Sequence, residues 1–438
     1  MDILQNIKLA SKIRGWLGKS NRNELCLLLY VFTLPFVSAF AFTGTISLPL
    51  LVSLILFLLM GIDILSVGKL PSDFLGFDII IIFLFLLLVV FSFAINGWGN
   101  PKSVNHTIAY LSTFLLFYIS VKYTLLNSGS YNQVFKRVLQ FITYTTCISA
   151  IFANLEFISV NFFDLDLNEY IPRAVEGEEL YNPTVIGLFV RARGFATESG
   201  HFTLMMELFS PLTIYYMYFS GFCKWGKLQK TIITIAIFFS FVFAASSASF
   251  VIIPIAFILA ILLYSKRVFY YIKKYKYKVV IALSQIALIF IVFNYFLSLN
   301  ALILLSLTDK LDSESFDDRQ ERIDFFYSSF FHLDPVIQLF GVGPAGYSNL
   351  GYDESKSILS LYYKLTFEIG FLGLLLILLF IFYVLINTQK IKTKIGFFLM
   401  ISVISGAIHY YFISNYWYPW FWFIAAFAIF CNKKFRNE

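Results

Sequence analysis

A succession of apolar runs, most of them close to 20 residues long, constrains this chain more than any other feature. They fall at about 24–42, 44–67, 77–96, 107–126, 138–160, 201–222, 231–245, 247–264, 279–305, 358–386, 395–412 and 416–431. That is the length an α-helix needs to cross the hydrocarbon core of a bilayer, where every backbone polar group must be satisfied within the protein. The stretch 231–264 is too long for one crossing, and Ala244-Ala-Ser-Ser-Ala-Ser249 supplies a turn to divide it. The sequence therefore predicts an all-α polytopic membrane protein with about twelve transmembrane helices in a single membrane domain, 1–438. A content of 59% hydrophobic against 13% charged residues argues against a soluble enzyme.

Charge placement tests that count. With both termini inside, 24 of the 33 Lys and Arg fall on cytoplasmic segments. Five of them lie in residues 1–23 (Lys8, Lys12, Arg14, Lys19 and Arg22), where Ile3, Ile7, Ile13 and Leu17 suggest an interfacial helix. This is a positive-inside pattern, and an odd number of spans would break it. The formal charge of +7 is thus a topology signal, and no nucleic-acid partner is expected. Cys26, Cys147, Cys223 and Cys431 are scattered and form no CxxC pair, so neither a disulfide framework nor a metal site is expected. No cleavable signal stands out.

Two outer loops are large. The first, 161–200, carries seven carboxylates and Arg173, Arg191 and Arg193; the second, 306–357, carries ten carboxylates against Lys310, Arg319, Arg322 and Lys356. Function is expected to concentrate there. The first loop ends in Arg191-Ala-Arg193-Gly194-Phe195-Ala-Thr197-Glu198-Ser-Gly200-His201, just before an apolar run. Two guanidiniums at this spacing suit a diphosphate, which they recognise by bidentate geometry. Their bland alternative is pairing with Glu176, Glu178 or Glu179. Gly194 permits a tight turn or a close approach. Thr197 is a candidate cap for the following helix. Glu198 either complements that helix dipole or serves as a general base, and His201 reads more readily as an interfacial structural residue than as a catalyst.

In the second loop Arg319 and Arg322 lie three apart and share a helix face, where they either complete a cationic pocket or pair with Asp318, Glu321 and Asp324. The carboxylates between Asp309 and Asp318 miss the EF-hand spacing and read as a solvated loop. Phe340-Gly341-Val-Gly343-Pro344-Ala-Gly346-Tyr347 lacks the GK[ST] of a P-loop and reads as a turn re-entering the site. Lys364 and Glu368 stand four apart near the outer end of the next run, either paired with each other or contributing to the site. His409 to Trp422 forms an aromatic cluster that an interfacial belt explains.

Three of these stretches resemble the Wzy-type O-antigen polymerases of the O-antigen ligase/polymerase superfamily. Arg191 to Phe202 is similar to the family's R-x-x-G-F-x-x-E-P-x-x-F. Arg319 with Phe340-Gly341-Val-Gly343 is similar to its arginine-bearing outer loop ending in G-x-G. Tyr362-Tyr-Lys-Leu-Thr-Phe-Glu368-Ile-Gly370-Phe-Leu-Gly373 is similar to the Y-x-x-x-x-x-E-x-G-x-x-G opening the next span. Ser199 replaces the usual proline. Leu359-Ser360 stands where the ligases place a His-Asn pair, which favours a polymerase.

The resemblance implies a GT-C-like glycosyltransferase of the bacterial inner membrane, with both termini cytoplasmic and the site facing the periplasm. Its substrate would be an undecaprenyl-diphosphate-linked oligosaccharide, with membrane lipids and a chain-length regulator as candidate further partners and no cofactor or metal. Arg191, Arg319 and Glu198 would be catalytic. Arg193, Gly194, His201, Arg322, Gly341, Gly343, Tyr347 and Glu368 would bind substrate or pyrophosphate. The alternatives are a ligase acting on lipid A-core and a lipid-linked oligosaccharide flippase. The flippase ranks last, since the spans read as nearly charge-free and a transporter expects midplane ionisable groups or broken helices.

Overall fold

The computed structural model describes residues 22–41, 46–71, 73–96, 101–128, 130–173, 185–186, 189–265, 314–351, 358 and 360–435. Most of the interfacial segment 1–23, the basic stretch 266–278 and the run 279–305 lie outside them. Helix α1 (Arg22–Thr33) is shorter than its apolar run. Pro35 has no N–H to donate and disfavours helix at the residue before it, so the chain turns there. Helices α2 (Leu48–Val67) and α3 (Phe77–Asn96) follow, the first closed by Gly68 at φ 65°. The next crossing runs from α4 (Pro101–Ser112) through a π-helical turn (Thr113–Ile119) into α5 (Ser120–Leu126). α6 (Tyr131–Phe163) spans 33 residues, about 50 Å at the usual rise, and so overreaches the hydrocarbon core.

A small antiparallel hairpin of β1 (Val185–Ile186) and β2 (Phe189–Val190) precedes α7 (Ser199–Tyr218). α8 (Lys227–Ala244) and α9 (Ser247–Leu263) are divided at Ala245, in the left-handed region at φ 44°, so the turn expected at 244–249 is present. After them come α10 (Glu314–Phe330), α11 (Pro335–Phe340), α12 (Leu361–Lys390), α13 (Lys394–His409) and α14 (Pro419–Phe435).

Among the described residues six helical segments are long and apolar enough to cross a membrane: α2, α3, 102–126, α6, α8 and α12; α9 and α13 are shorter apolar helices. The protein is an all-α, multi-pass membrane protein. α7 and α14 form the centre, buried along almost their whole length, as helices apolar on every side must be. α2 and α3 turn Leu58, Ile62, Leu65, Ile80, Phe83 and Leu87 outward as a lipid-facing surface.

Side-chain contacts sort into two ends, as alternating crossings require. At one end Arg137 meets Glu24 at 2.6 Å, Arg22 meets Asp63 at 3.4 Å, Lys433 meets Asp73 at 3.0 Å and Lys122 meets Asp78 at 2.6 Å. At the other lie the described parts of both large loops. That loop end holds the candidate site.

One expectation fails. The spans are not nearly charge-free: Asp78, Lys122, Glu156, Glu207, Lys364 and Glu368 are all buried in helices. Neither is every span continuous, because α12 is broken at Gly370 (φ 74°, ψ −176°). A handful of single charges inside long apolar runs leaves hydropathy almost unchanged, which is why the sequence reads as apolar there.

Candidate functional site

The arginine loop is held from below by one buried carboxylate. Glu156, near the loop end of α6, accepts the backbone N–H groups of Arg193 (3.0 Å) and Gly194 (2.7 Å) on one oxygen and Asn168 Nδ2 (2.9 Å) on the other. Its second oxygen also lies 4.0 Å from Arg193 Nε. Arg173 grips the same loop from the side, donating to the carbonyls of Gly194 (2.6 Å) and Ala196 and to Asn168 Oδ1. Phe195 is clasped between Phe152 (4.4 Å) and Phe36 (4.9 Å). Gly194 sits at φ 57°, and a Cβ there would come within 2.5 Å of the Phe202 ring. The turn thus has a backbone requirement, not only a composition. Among the described residues Glu156 stands beside Arg193, and it lies outside the loop where partners were sought.

Arg191 is directed elsewhere. Its Nε donates to the Ala244 carbonyl at the end of α8 (3.0 Å), while Ala192 N–H donates to Phe243 O (3.0 Å). Burial pushes this guanidinium down to about 10; Glu198 pulls it up, and Arg319 pushes it further down. Those influences require both groups to be near. Arg319 of the second outer loop thus opposes the charge of Arg191 in the first, and an arriving anion would offset both that repulsion and the lost hydration. Arg319 and Arg322 lie on α10, three apart as expected. The side chain of Asp318, one of their expected partners, lies outside the described residues, as do Glu176, Glu178 and Glu179.

Glu198 itself, not Thr197, is the N-cap of α7 (φ −132°, ψ 157°). Its carbonyl accepts Phe202 N–H at 3.0 Å, and its exposed side chain makes no capping bond. Thr197 is occupied instead by His201 Nδ1 (2.8 Å) and Tyr418 OH (3.3 Å), and Tyr418 OH reaches the same imidazole nitrogen at 3.0 Å. His201 is buried in this knot, which fits an interfacial structural residue.

The glycine-rich turn meets the broken helix. Interrupting α12 at Gly370 leaves carbonyls without helical donors. Val342 N–H takes Phe367 O (2.8 Å), while Gly343 N–H (3.1 Å) and Ser92 Oγ (2.9 Å) take Glu368 O. Asn96 Nδ2 ties Gly341 O at 2.9 Å. Gly341 (φ 84°) and Gly370 touch backbone to backbone, and a Cβ on either would meet peptide atoms. Tyr347 packs inward against Phe367, with ring centroids 6.4 Å apart.

Glu368 is fully buried and takes three donors: His106 Nδ1 (2.8 Å), Ala345 N–H (3.0 Å) and Tyr110 OH (2.5 Å). Its hydrogen-bonded partner is therefore His106, not Lys364. The Lys364 ammonium lies over the rings of Trp417 (4.8 Å) and Tyr416 (5.4 Å). So the aromatic cluster does more than line an interface, since two of its rings seat a buried cation. His106, Tyr110, Glu156 and Arg173 were not legible as site residues. The one available signal was a lone ionisable group inside or beside an apolar run. Among the described residues no group of three or more His, Cys, Asp or Glu is placed to hold a metal ion. Neither the protein-family models nor the curated proteins give a match to this chain.

Proposed function

We propose that this protein is a polysaccharide polymerase of the bacterial inner membrane, resembling the Wzy-type enzymes, with a GT-C-like arrangement of about twelve crossings. It transfers a growing glycan from undecaprenyl diphosphate to the non-reducing end of a lipid-linked repeat unit, on the periplasmic side. The observation that carries this reading is the buried Arg191 guanidinium at the end of the first outer loop, whose charge is opposed by burial and by Arg319 of the second. A diphosphate leaving group gathers negative charge as the glycosidic bond breaks, and fixed guanidiniums aimed at that charge lower the barrier. Arg191→Ala should therefore insert normally yet leave single repeat units on lipid A. One such donor is typically worth about 10²–10³-fold in rate. A lipopolysaccharide gel from a deletion strain carrying the variant decides it: long ladders would remove Arg191 from the mechanism.

A second reading, a lipid-linked oligosaccharide flippase, gains from the break at Gly370 beside buried Glu368, since discontinuous helices with ionisable groups mark transport sites. In a deletion strain a flippase defect would trap repeat units on the cytoplasmic face; a polymerase defect would leave them outside.

A further inference from the structure

Two carboxylate–imidazole pairs are described in the bundle, and they differ in access. Glu207 and His409 meet at 2.9 Å between α7 and α13, with the imidazole side chain only 1% exposed. Glu368 and His106 meet at 2.8 Å at the loop end, and there the imidazole is 24% exposed while its carboxylate is wholly buried. The first pair is sealed; the second is partly exposed.

The partly exposed pair is also oriented. An ionised carboxylate only accepts, so Nδ1 of His106 carries the shared proton and Nε2 of the neutral ring remains an acceptor. The glutamate cannot swing away, because Tyr110 OH and Ala345 N–H hold its oxygens and Ser92 and Gly343 hold its backbone carbonyl. Tyr416 OH, on a ring stacked at 4.1 Å against Tyr110, donates to the His106 carbonyl at 3.3 Å. Two residues further on, Tyr418 binds Thr197 and His201, next to Glu198. Residues two apart are separated by at most about 7 Å, so this pair and the arginine loop share one end of the bundle. Glu198, by contrast, is exposed and nothing in the N-cap holds its side chain.

Resting on the glycosyl-transfer reading above, we infer that His106 is the general base of the transfer and that Glu368 is its positioning residue. The acceptor oxygen bonds to the anomeric carbon while its hydroxyl proton passes to His106 Nε2. The bond from that carbon to the diphosphate oxygen breaks, and its electron pair leaves with the diphosphate. A base oriented by a third group is the arrangement that nucleophile activation requires.

The test uses the full-length protein in lipid vesicles, supplied with polyprenyl-diphosphate-linked repeat units isolated from a strain lacking it. His106→Gln should slow polymerisation about 10²–10⁴-fold, the usual contribution of a positioned base. It should also abolish the fall in rate on the acid side, where an imidazole takes up a proton. The groups facing the ring that could shape that limb are Glu368 and, around it, Tyr110, Lys364, Tyr347 and Tyr416. Glu368→Gln keeps the neighbours' shape, should slow the reaction less, and should displace the acid limb. Diethylpyrocarbonate should label His106 far faster than His409, and continued protection of His409 in each variant reports an intact bundle. A wild-type rate or an unchanged acid limb in His106→Gln overturns the base assignment and leaves the polymerase reading standing. A wild-type protein that labels at His106 but joins no repeat units overturns the polymerase reading and the base role with it.

Discussion

Two buried carboxylates, one at each end of the bundle, are built alike and finished differently. Asp78 takes the hydroxyl of Tyr118 and the Lys122 ammonium at 2.6 Å, and Lys122 also donates to Phe74 O at 2.8 Å; both charged side chains are essentially without solvent. Glu368 likewise takes a tyrosine hydroxyl, yet its other side-chain partner is an imidazole that is 24% exposed, and the nearby Lys364 is spent on aromatic rings. The first arrangement closes on itself and staples α3 to α5. The second leaves its imidazole partly exposed and lies beside a helix break. Sealed charge suits assembly, whereas a partly exposed pair is the one we propose for chemistry.

The largest effect should come at the sealed end. Lys122→Met strands Asp78 in the interior and should cost about 3–5 kcal/mol, whereas joining it to Asp78→Leu should restore most of that stability. Thermal unfolding of the purified variants checks this; a double variant no better than the single one breaks the comparison. Next comes Gly370→Ala. Its backbone conformation is essentially restricted to glycine, and a Cβ there would sit 2.6 Å from Gly341 N. The strain alone should cost about 1–3 kcal/mol, and turnover should fall more steeply than stability because Glu368 moves with the break. Equal losses in both would show that the break is merely structural.

A milder change is expected from Glu156→Gln. The amide keeps the shape but gives up a charge-assisted acceptor for two N–H groups, each bond worth about 1.5–3 kcal/mol with an ionised partner. Amide hydrogen exchange should accelerate across 191–196 and stay unchanged in α14. Smallest is Gly61→Ala on α2, where nothing lies within 4 Å of the added methyl. Replacing a helical glycine should stabilise by roughly 0.5–1 kcal/mol. A loss there would reveal a packing surface that the monomer leaves uncovered.

The parts of the site written as dense local motifs were legible. Arg191, Glu198 and the glycines at 341 and 343 stand out because several unusual residues cluster within one short stretch. The helix starting at Ser199 and the turn at 244–249 could also be read, since each is governed by neighbouring residues. Thr197 was misread as the cap, because its hydroxyl is claimed by His201, four residues on, and by Tyr418, more than 200 positions away. The Lys364–Glu368 spacing fits a helical pair equally well, and nothing local says that His106 competes for the carboxylate.

Length and apolarity alone fixed the solvent this chain must fold in, since twenty-residue runs have no other stable use. Positive charge between the runs supplied an expected orientation, because moving such groups across hydrocarbon is costly. Which buried charges meet was left to tertiary structure. Glu156 finds the arginine loop 37 residues on, and Glu368 finds an imidazole 262 residues back. A single carboxylate in an apolar run announces only that it needs a partner; packing alone selects which one it gets.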